Sequence, residues 1–130
     1  MTVEADLYSR LTGFAGLAAL VGNRVYPQMI PQAVTMPAIS YQRVSTIRTS
    51  VMRNDIDIVR SRFQVDVWAK DFDEGEAITA QVLAALQRYR GTGTVEILAV
   101  FSLEEIDLYE PETEIYHQAL DFEINYRESP

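Results

Sequence analysis

The stretch "EIYHQALDFEINYRES" near the end of the chain constrains the fold most. Tyr116, Gln118, Leu120, Phe122, Ile124 and Tyr126 alternate with His117, Ala119, Asp121, Glu123, Asn125 and Arg127. A period of two places successive side chains on opposite faces of a strand. One face is therefore mostly apolar and must be covered. "VRSRFQVDVWAK" behaves the same way: Phe63, Val65 and Val67 point one way, and Arg62, Gln64, Asp66 and Trp68 the other. A slip of one residue would turn either apolar set toward water, so both strands belong to a sheet with one buried face.

The cover is a helix within "KDFDEGEAITAQVLAALQRYR". Asp71 with Glu74, or Asp73 with Glu76, offers a capping pair at its start. Ile78, Val82, Ala85, Leu86 and Tyr89 form a stripe of helical period. Arg88 and Arg90 are expected at its C-terminal end, where cations complement the helix dipole, and "GTG" closes it. Earlier, Val3, Leu7 and Leu11 predict a first helix ended by Thr12-Gly13. A shorter one stops at Gly22-Asn23.

Pro27, Pro31 and Pro37 follow. Each proline fixes φ, removes a donor and biases its predecessor toward extended backbone. An ordered crossing loop is expected, with Val25, Tyr26 and Ile30 packing on the core. "PAISYQRVSTIR" reads as a strand with one slip near its end, Ile39, Tyr41 and Val44 lying against Ser40, Gln42 and Arg43. "TVEILAVFSLEEIDLYE" is a long strand with apolar residues on both faces, and "EPETE" is the turn after it. The expected fold is α+β: a mostly antiparallel sheet, one long helix packed on a face and short N-terminal helices, in a single domain spanning residues 1–130.

Composition narrows the function. The 130 residues are 48% hydrophobic and 23% charged, as in ordinary globular chains. No apolar run approaches the ~20 residues of a membrane helix. "MTVEADLYSR" has acids where a signal peptide has basic residues, so a cytoplasmic site of synthesis is expected. The absence of cysteine removes disulfides and thiol chemistry. A net charge of −8 argues against a nucleic-acid binder, which needs clustered Lys and Arg for phosphates.

Chemistry is hard to find. His117, the one histidine, lacks an indicated nucleophile or orienting group, and its alternation suits an exposed polar-face residue. One His and no Cys make zinc improbable. "DFDEGE" lacks the ligand spacing of a calcium loop, and neither a Walker motif nor GxGxxG occurs. Neither catalytic residues nor cofactors nor metals are expected. Trp68 suits an interface anchor and half-core packing equally.

Two features remain. One is the polar excursion from Ser45 to Asp57, with Ile47, Arg48, Thr49, Ser50, Val51, Met52, Arg53 and Asn54 as candidate interface residues. The other is a set of long strands that can present edges to another chain.

The order of "LAALVGNRVYPQMIPQ", "MPAISYQRV" and "RFQVDVWAKDFDEGEAITAQVLAAL" resembles the tail-completion, or tail terminator, proteins of long-tailed bacteriophages and gene transfer agents. The resemblance covers nearly the whole chain, most firmly residues 7–86. It implies an α+β fold and structural work in the virion: a ring, usually a hexamer, that caps the tail tube, stops its polymerisation and meets the head connector. It implies a homo-oligomer with the major tail tube protein and the head connector protein as partners, and DNA passing through the lumen without specific binding. It supplies no catalytic residue. A head-side connector or stopper, a minor tail protein, and a small bacterial adaptor or ligand-binding domain are the other readings.

Overall fold

A computed structural model describes residues 2–28, 35–49, 58–111 and 114–128. The chain begins with α1 (Val3–Gly13) and α2 (Ala15–Val21). Val3, Leu7 and Leu11 are buried on the inner stripe of α1, as the spacing predicts. The break between the helices falls at Phe14 rather than Thr12-Gly13. Phe14 has extended backbone (φ −81°, ψ 114°), and its carbonyl accepts from Leu17 and Ala18 at 3.0 and 2.9 Å, starting the new helix. Gly22 ends α2 with φ +60°, a backbone state that suits glycine, and its N–H reaches the Ala18 carbonyl at 2.8 Å.

Among the described residues, six strands form one sheet in the order β1-β2-β3-β6-β5-β4. They are β1 (Val25–Pro27), β2 (Ala38–Thr49), β3 (Ile58–Ala69), β4 (Gly91–Thr92), β5 (Val95–Glu110) and β6 (Ile115–Glu128). The β1–β2 pair is parallel, and the other neighbouring pairs are antiparallel. With α1, α2 and α3 (Phe72–Leu86) this is a mixed α/β fold.

The sheet corrects several local expectations. The start of the proline segment is not only a crossing loop: Val25–Pro27 is a strand against Ile39–Tyr41. Val25 is buried and Tyr26 half-buried, whereas Ile30 lies outside the described residues. The slip in β2 is a bulge between Arg43 and Ser45, which turns Val44 outward to 50% exposure. The polar excursion begins later than expected, because Ser45, Thr46, Ile47, Arg48 and Thr49 pair with Arg62, Ser61, Arg60, Val59 and Ile58.

The helix after β3 starts where the capping pattern places it. The Asp71 carboxylate accepts the Asp73 N–H at 3.2 Å. It ends earlier than its apolar pattern, at Leu86, so Arg88 and Arg90 lie beyond it and Arg88 takes φ +62°. Arg10 supplies the cation instead. Its Nε donates to the Ala85 carbonyl at 2.7 Å, while its guanidinium lies 4.3 Å from the Tyr89 ring centroid. A residue of α1 thus completes the end of α3, a link no local pattern carries. Gly91–Thr92, expected as a helix stop, forms β4.

One buried cluster joins the parts. Leu7, Leu11, Leu17, Ile78, Val82 and Leu86 from the helices meet Ile39, Phe63, Val65, Leu120, Phe122, Ile124 and Tyr126 from the sheet. Each fully buried side chain of this size contributes roughly 1.5–3 kcal/mol relative to exposure. The Asp6 carboxylate fixes α1 to the start of β5. It accepts from the backbone N–H groups of Thr94 and Val95, both at 2.9 Å.

Candidate assembly surface

The sheet leaves two long edges without a partner strand among the described residues. β1 covers β2 only at Ile39–Tyr41, and β4 covers β5 only at Glu96 and Ile97. Beyond those points the Val100 carbonyl accepts from Arg88 N–H at 3.0 Å, and residues 42–49 of β2 and 101–110 of β5 have no partner strand on one side among the described residues. Such edges are templates for another chain unless they are blunted.

β5 enters the buried cluster only through Val95, Ile97 and Val100, at its start. Phe101, Leu103, Ile106, Leu108 and Tyr109 are all exposed, at 44–50%. Pairing with β6 explains why. Ser102, Glu105 and Asp107 sit opposite Phe122, Leu120 and Gln118, on the helix side, while Phe101, Ile106 and Leu108 sit opposite Glu123, Ala119 and His117. The strand reads as apolar on both faces because Val95, Ile97 and Val100 at its start are buried on the helix side, whereas Phe101, Ile106 and Leu108 further along are exposed on the other. Register could not be read from the sequence here because bulges at Ile97/Ala99 and Ser102/Glu104 shift the alternation twice. The signal that could have found this surface was present: long apolar alternation interrupted by Glu104, Glu105 and Asp107 does not suit a strand buried on both faces.

Of the candidate interface residues, Ile47 is 55% exposed on β2, Arg48 sits beside it and Thr49 ends the strand opposite Ile58. Ser50, Val51, Met52, Arg53 and Asn54 lie outside the described residues. The Arg48 guanidinium is 3.2 Å from the Glu128 carboxylate. Hydrogen bonding to Glu128 raises its pKa, with that carboxylate's charge adding to the effect.

Over β3 and β6 the sheet face away from the helices is mostly polar and cross-linked. Arg62 pairs with Asp121 at 2.5 Å, and this hydrogen bond raises the arginine pKa. Gln64 donates to Asp66 at 2.9 Å. His117 is not the exposed residue its alternation suggests. Its ring stacks on Trp68 at 3.8 Å between centroids, and its Nε2 lies 3.1 Å from Asp66. Trp68 is half-buried and donates from Nε1 to the Ser40 hydroxyl at 3.0 Å. The stacking holds the two rings together on adjacent strands, and His117 Nε2 is buried without a hydrogen-bond partner. Tyr41 faces the core, and burial is the main cause that pushes its hydroxyl pKa up.

A surface cavity of about 450 Å³ opens between α1 and the chain around Gly91–Thr94, with Asp6, Ser9, Arg10 and Tyr89 on its wall. Asp6 and Arg10 there are committed to the contacts described above. Among the described residues, no group of three or more His, Cys, Asp or Glu could hold a metal ion.

A small α/β chain whose clearest exposed features are sheet edges and an apolar projecting strand is built to meet other chains. Comparison gives this class a specific place. The family model described as "Tail completion protein gp17" matches residues 5–127, and the chain belongs to that family. It is a structural component of a phage tail. The same fold occurs in a chain of the "Virion of native gene transfer agent (GTA) particle", with a TM-score of 0.77, 20% identity and coverage of 93% of this chain and 91% of that one. No curated protein matches the chain.

Proposed function

We propose that this chain, acting as a single domain over residues 1–130, forms a closed ring at the end of the tail tube. In this reading six copies cap the tube, end its polymerisation and present the surface that meets the head connector. The tube protein and the connector protein are its partners, and it has no enzymatic role and no cofactor. The observation that carries the reading is the family match over almost the whole chain. The unpaired edges of β2 and β5 support it, since a ring needs a heterologous head-to-tail interface that closes by rotation. An interface of this obligate kind would bury on the order of 2,000 Å² or more.

The segment from Ile47 to Asn54 is proposed as part of the contact with a neighbour or with the tube. Its first residues already stand on an open edge. The net charge of −8 per copy suits a lumen with acidic walls, along which DNA slides without sticking.

Electron microscopy of particles assembled without this protein tests the reading. Overlong tails, or tails separate from heads, are the expected result. Tails of normal length joined to full heads would reject it.

A further inference from the structure

We infer that neighbouring copies in the ring join edge to edge, the free edge of β2 in one copy pairing antiparallel with the free edge of β5 in the next. The inference rests on the ring reading above and names the contact that builds it.

Strand direction comes first. β2, β3, β6 and β5 are consecutive in the sheet, and each adjacent pair is antiparallel. The two edge strands of this set therefore run in opposite directions. Copies related by rotation about a ring axis keep the same strand directions relative to that axis. The β5 edge of one copy then meets the β2 edge of the next as an antiparallel pair, the commoner arrangement between strands. An odd number of strands between the edges would have forced a parallel contact.

Charge comes second. The β5 edge carries Glu104, Glu105 and Asp107, all exposed. The β2 edge carries Arg43 and Arg48, with side-chain exposures of 38% and 57%. Charged residues on an edge ordinarily prevent pairing. Here the signs differ between the two edges. Acidic β5 repels a second β5, and basic β2 repels a second β2, so the charges suppress two-fold dimers and permit the head-to-tail contact. Arg43 already lies 3.2 Å from Glu4, and Arg48 lies 3.2 Å from Glu128. The Arg48–Glu128 pair is open to solvent on both sides and holds its partners weakly, and the Arg43 side chain is itself 38% exposed, which leaves both arginines accessible to a neighbour's acids.

Apolar surface comes third. Val44 and Ile47 on the β2 edge are 50% and 55% exposed, and Ile106 and Leu108 on the β5 edge are 44% and 48% exposed. Edge pairing brings these sets together and removes them from water, which no contact within one copy does.

The absence of cysteine makes the test clean. One cysteine is placed on β2 (Val44→Cys or Ile47→Cys) and one on β5 (Ile106→Cys or Leu108→Cys), at exposed positions. Particles assembled with these double variants are treated with a short thiol crosslinker that tolerates a one-residue difference in register. A covalent ladder of multimers in at least one combination is expected, with each single-cysteine variant remaining monomeric. Dimers from a single β5 cysteine would overturn the inference in favour of two-fold pairing. Normal joined tails without a ladder in any combination would overturn it while leaving the tail-completion reading intact. Overlong or unjoined tails in the particles lacking the protein support that reading separately.

A charge exchange gives a second arm that does not depend on register. Arg43→Glu with Arg48→Glu, or Glu104→Lys with Glu105→Lys and Asp107→Lys, should each reduce joined particles at least tenfold, with monomer melting checked by circular dichroism. Both sets in one chain should restore joining. A failure of restoration with both sets folded would count against the pairing.

Discussion

At the residue scale, the most instructive contacts are those that tie one element to another through a single side chain. Asp6 is one. Its carboxylate accepts from Thr94 N–H, Thr94 Oγ1 and Val95 N–H, so it fixes the entry to β5 from α1. Removing an ionised acceptor from part-buried donors leaves those donors without a partner, a loss of about 1–3 kcal/mol. Asp6→Ala should therefore lower the urea midpoint, and Asp6→Asn, which keeps an acceptor oxygen, should lower it less. Equal stability of all three chains would show that water replaces the carboxylate fully. Tyr41 gives a pH signature. Its pKa is raised in the folded chain, first by burial and then by Tyr8 and Glu4. The folded state thus holds the phenolic proton longer than the unfolded state does. The stability this represents is present below the ordinary tyrosine value of about 10 and is lost as pH rises through the higher folded value. Alkaline unfolding followed by circular dichroism should show this loss, and Tyr41→Phe should flatten it. An unchanged slope in Tyr41→Phe would assign the alkaline loss to another group.

At the element scale, α3 carries a glycine at an informative place. Gly75 is in the first turns of the helix, and a Cβ there would meet Gln118 Oε1 at 3.5 Å and Ala69 Cβ at 3.7 Å. These are ordinary contact distances, so a methyl group fits. Gly75→Ala should stabilise the chain by about 0.5–1 kcal/mol through lower unfolded-state entropy, measured as a higher thermal midpoint. Gly93 is the contrast. A Cβ there would stand 2.6 Å from Asp6 Oδ1, so Gly93→Ala should destabilise by disturbing the carboxylate that holds β5. A loss of stability in Gly75→Ala, or no loss in Gly93→Ala, would contradict the packing described. The elements themselves were largely legible. The period-two runs at 62–68 and 116–127 and the stripes of α1 and α3 are local, and Phe63, Val65, Val67, Leu120, Phe122, Ile124 and Tyr126 are buried as the spacing marks, although Asp66, Ala119 and Asp121 on the opposite face are buried too. What the sequence hid depends on partners far along the chain. β1 has meaning only beside Ile39–Tyr41, and β4 only beside Glu96 and Ile97. The end of α3 is completed by Arg10, and His117 is sheltered by Trp68 from a neighbouring strand. Bulges broke the alternation in β2 and β5, so Val44, which alternation groups with the buried Ile39 and Tyr41, is turned outward, and the outer residues of β5 could not be assigned a face from periodicity.

At the scale of the whole molecule, the candidate assembly surface is a property of sheet order. Which strands become edges follows from β3 and β6 being central, and no single stretch of sequence states that. The candidate residues Ile47 and Arg48 were recognisable as a polar strand-flanked segment, whereas the apolar β5 residues were visible only as a strand of uncertain register. Charge is the whole-molecule property that sequence does supply, and it bears on DNA. With 19 acidic and 11 basic residues, the chain cannot neutralise many phosphates at once. Arg62, Arg48 and Arg127 are moreover each close to a carboxylate, Asp121, Glu128 and Glu96 respectively. Duplex DNA should therefore cause no saturable change in fluorescence anisotropy with the purified chain at about physiological ionic strength, where even non-specific binders reach ~10⁻⁴–10⁻⁶ M. Lowering the salt should not rescue binding, because like charges repel more strongly when screening falls. Saturable binding that strengthens at low salt would reveal a basic stripe formed by the fold and would count against the proposed acidic lumen.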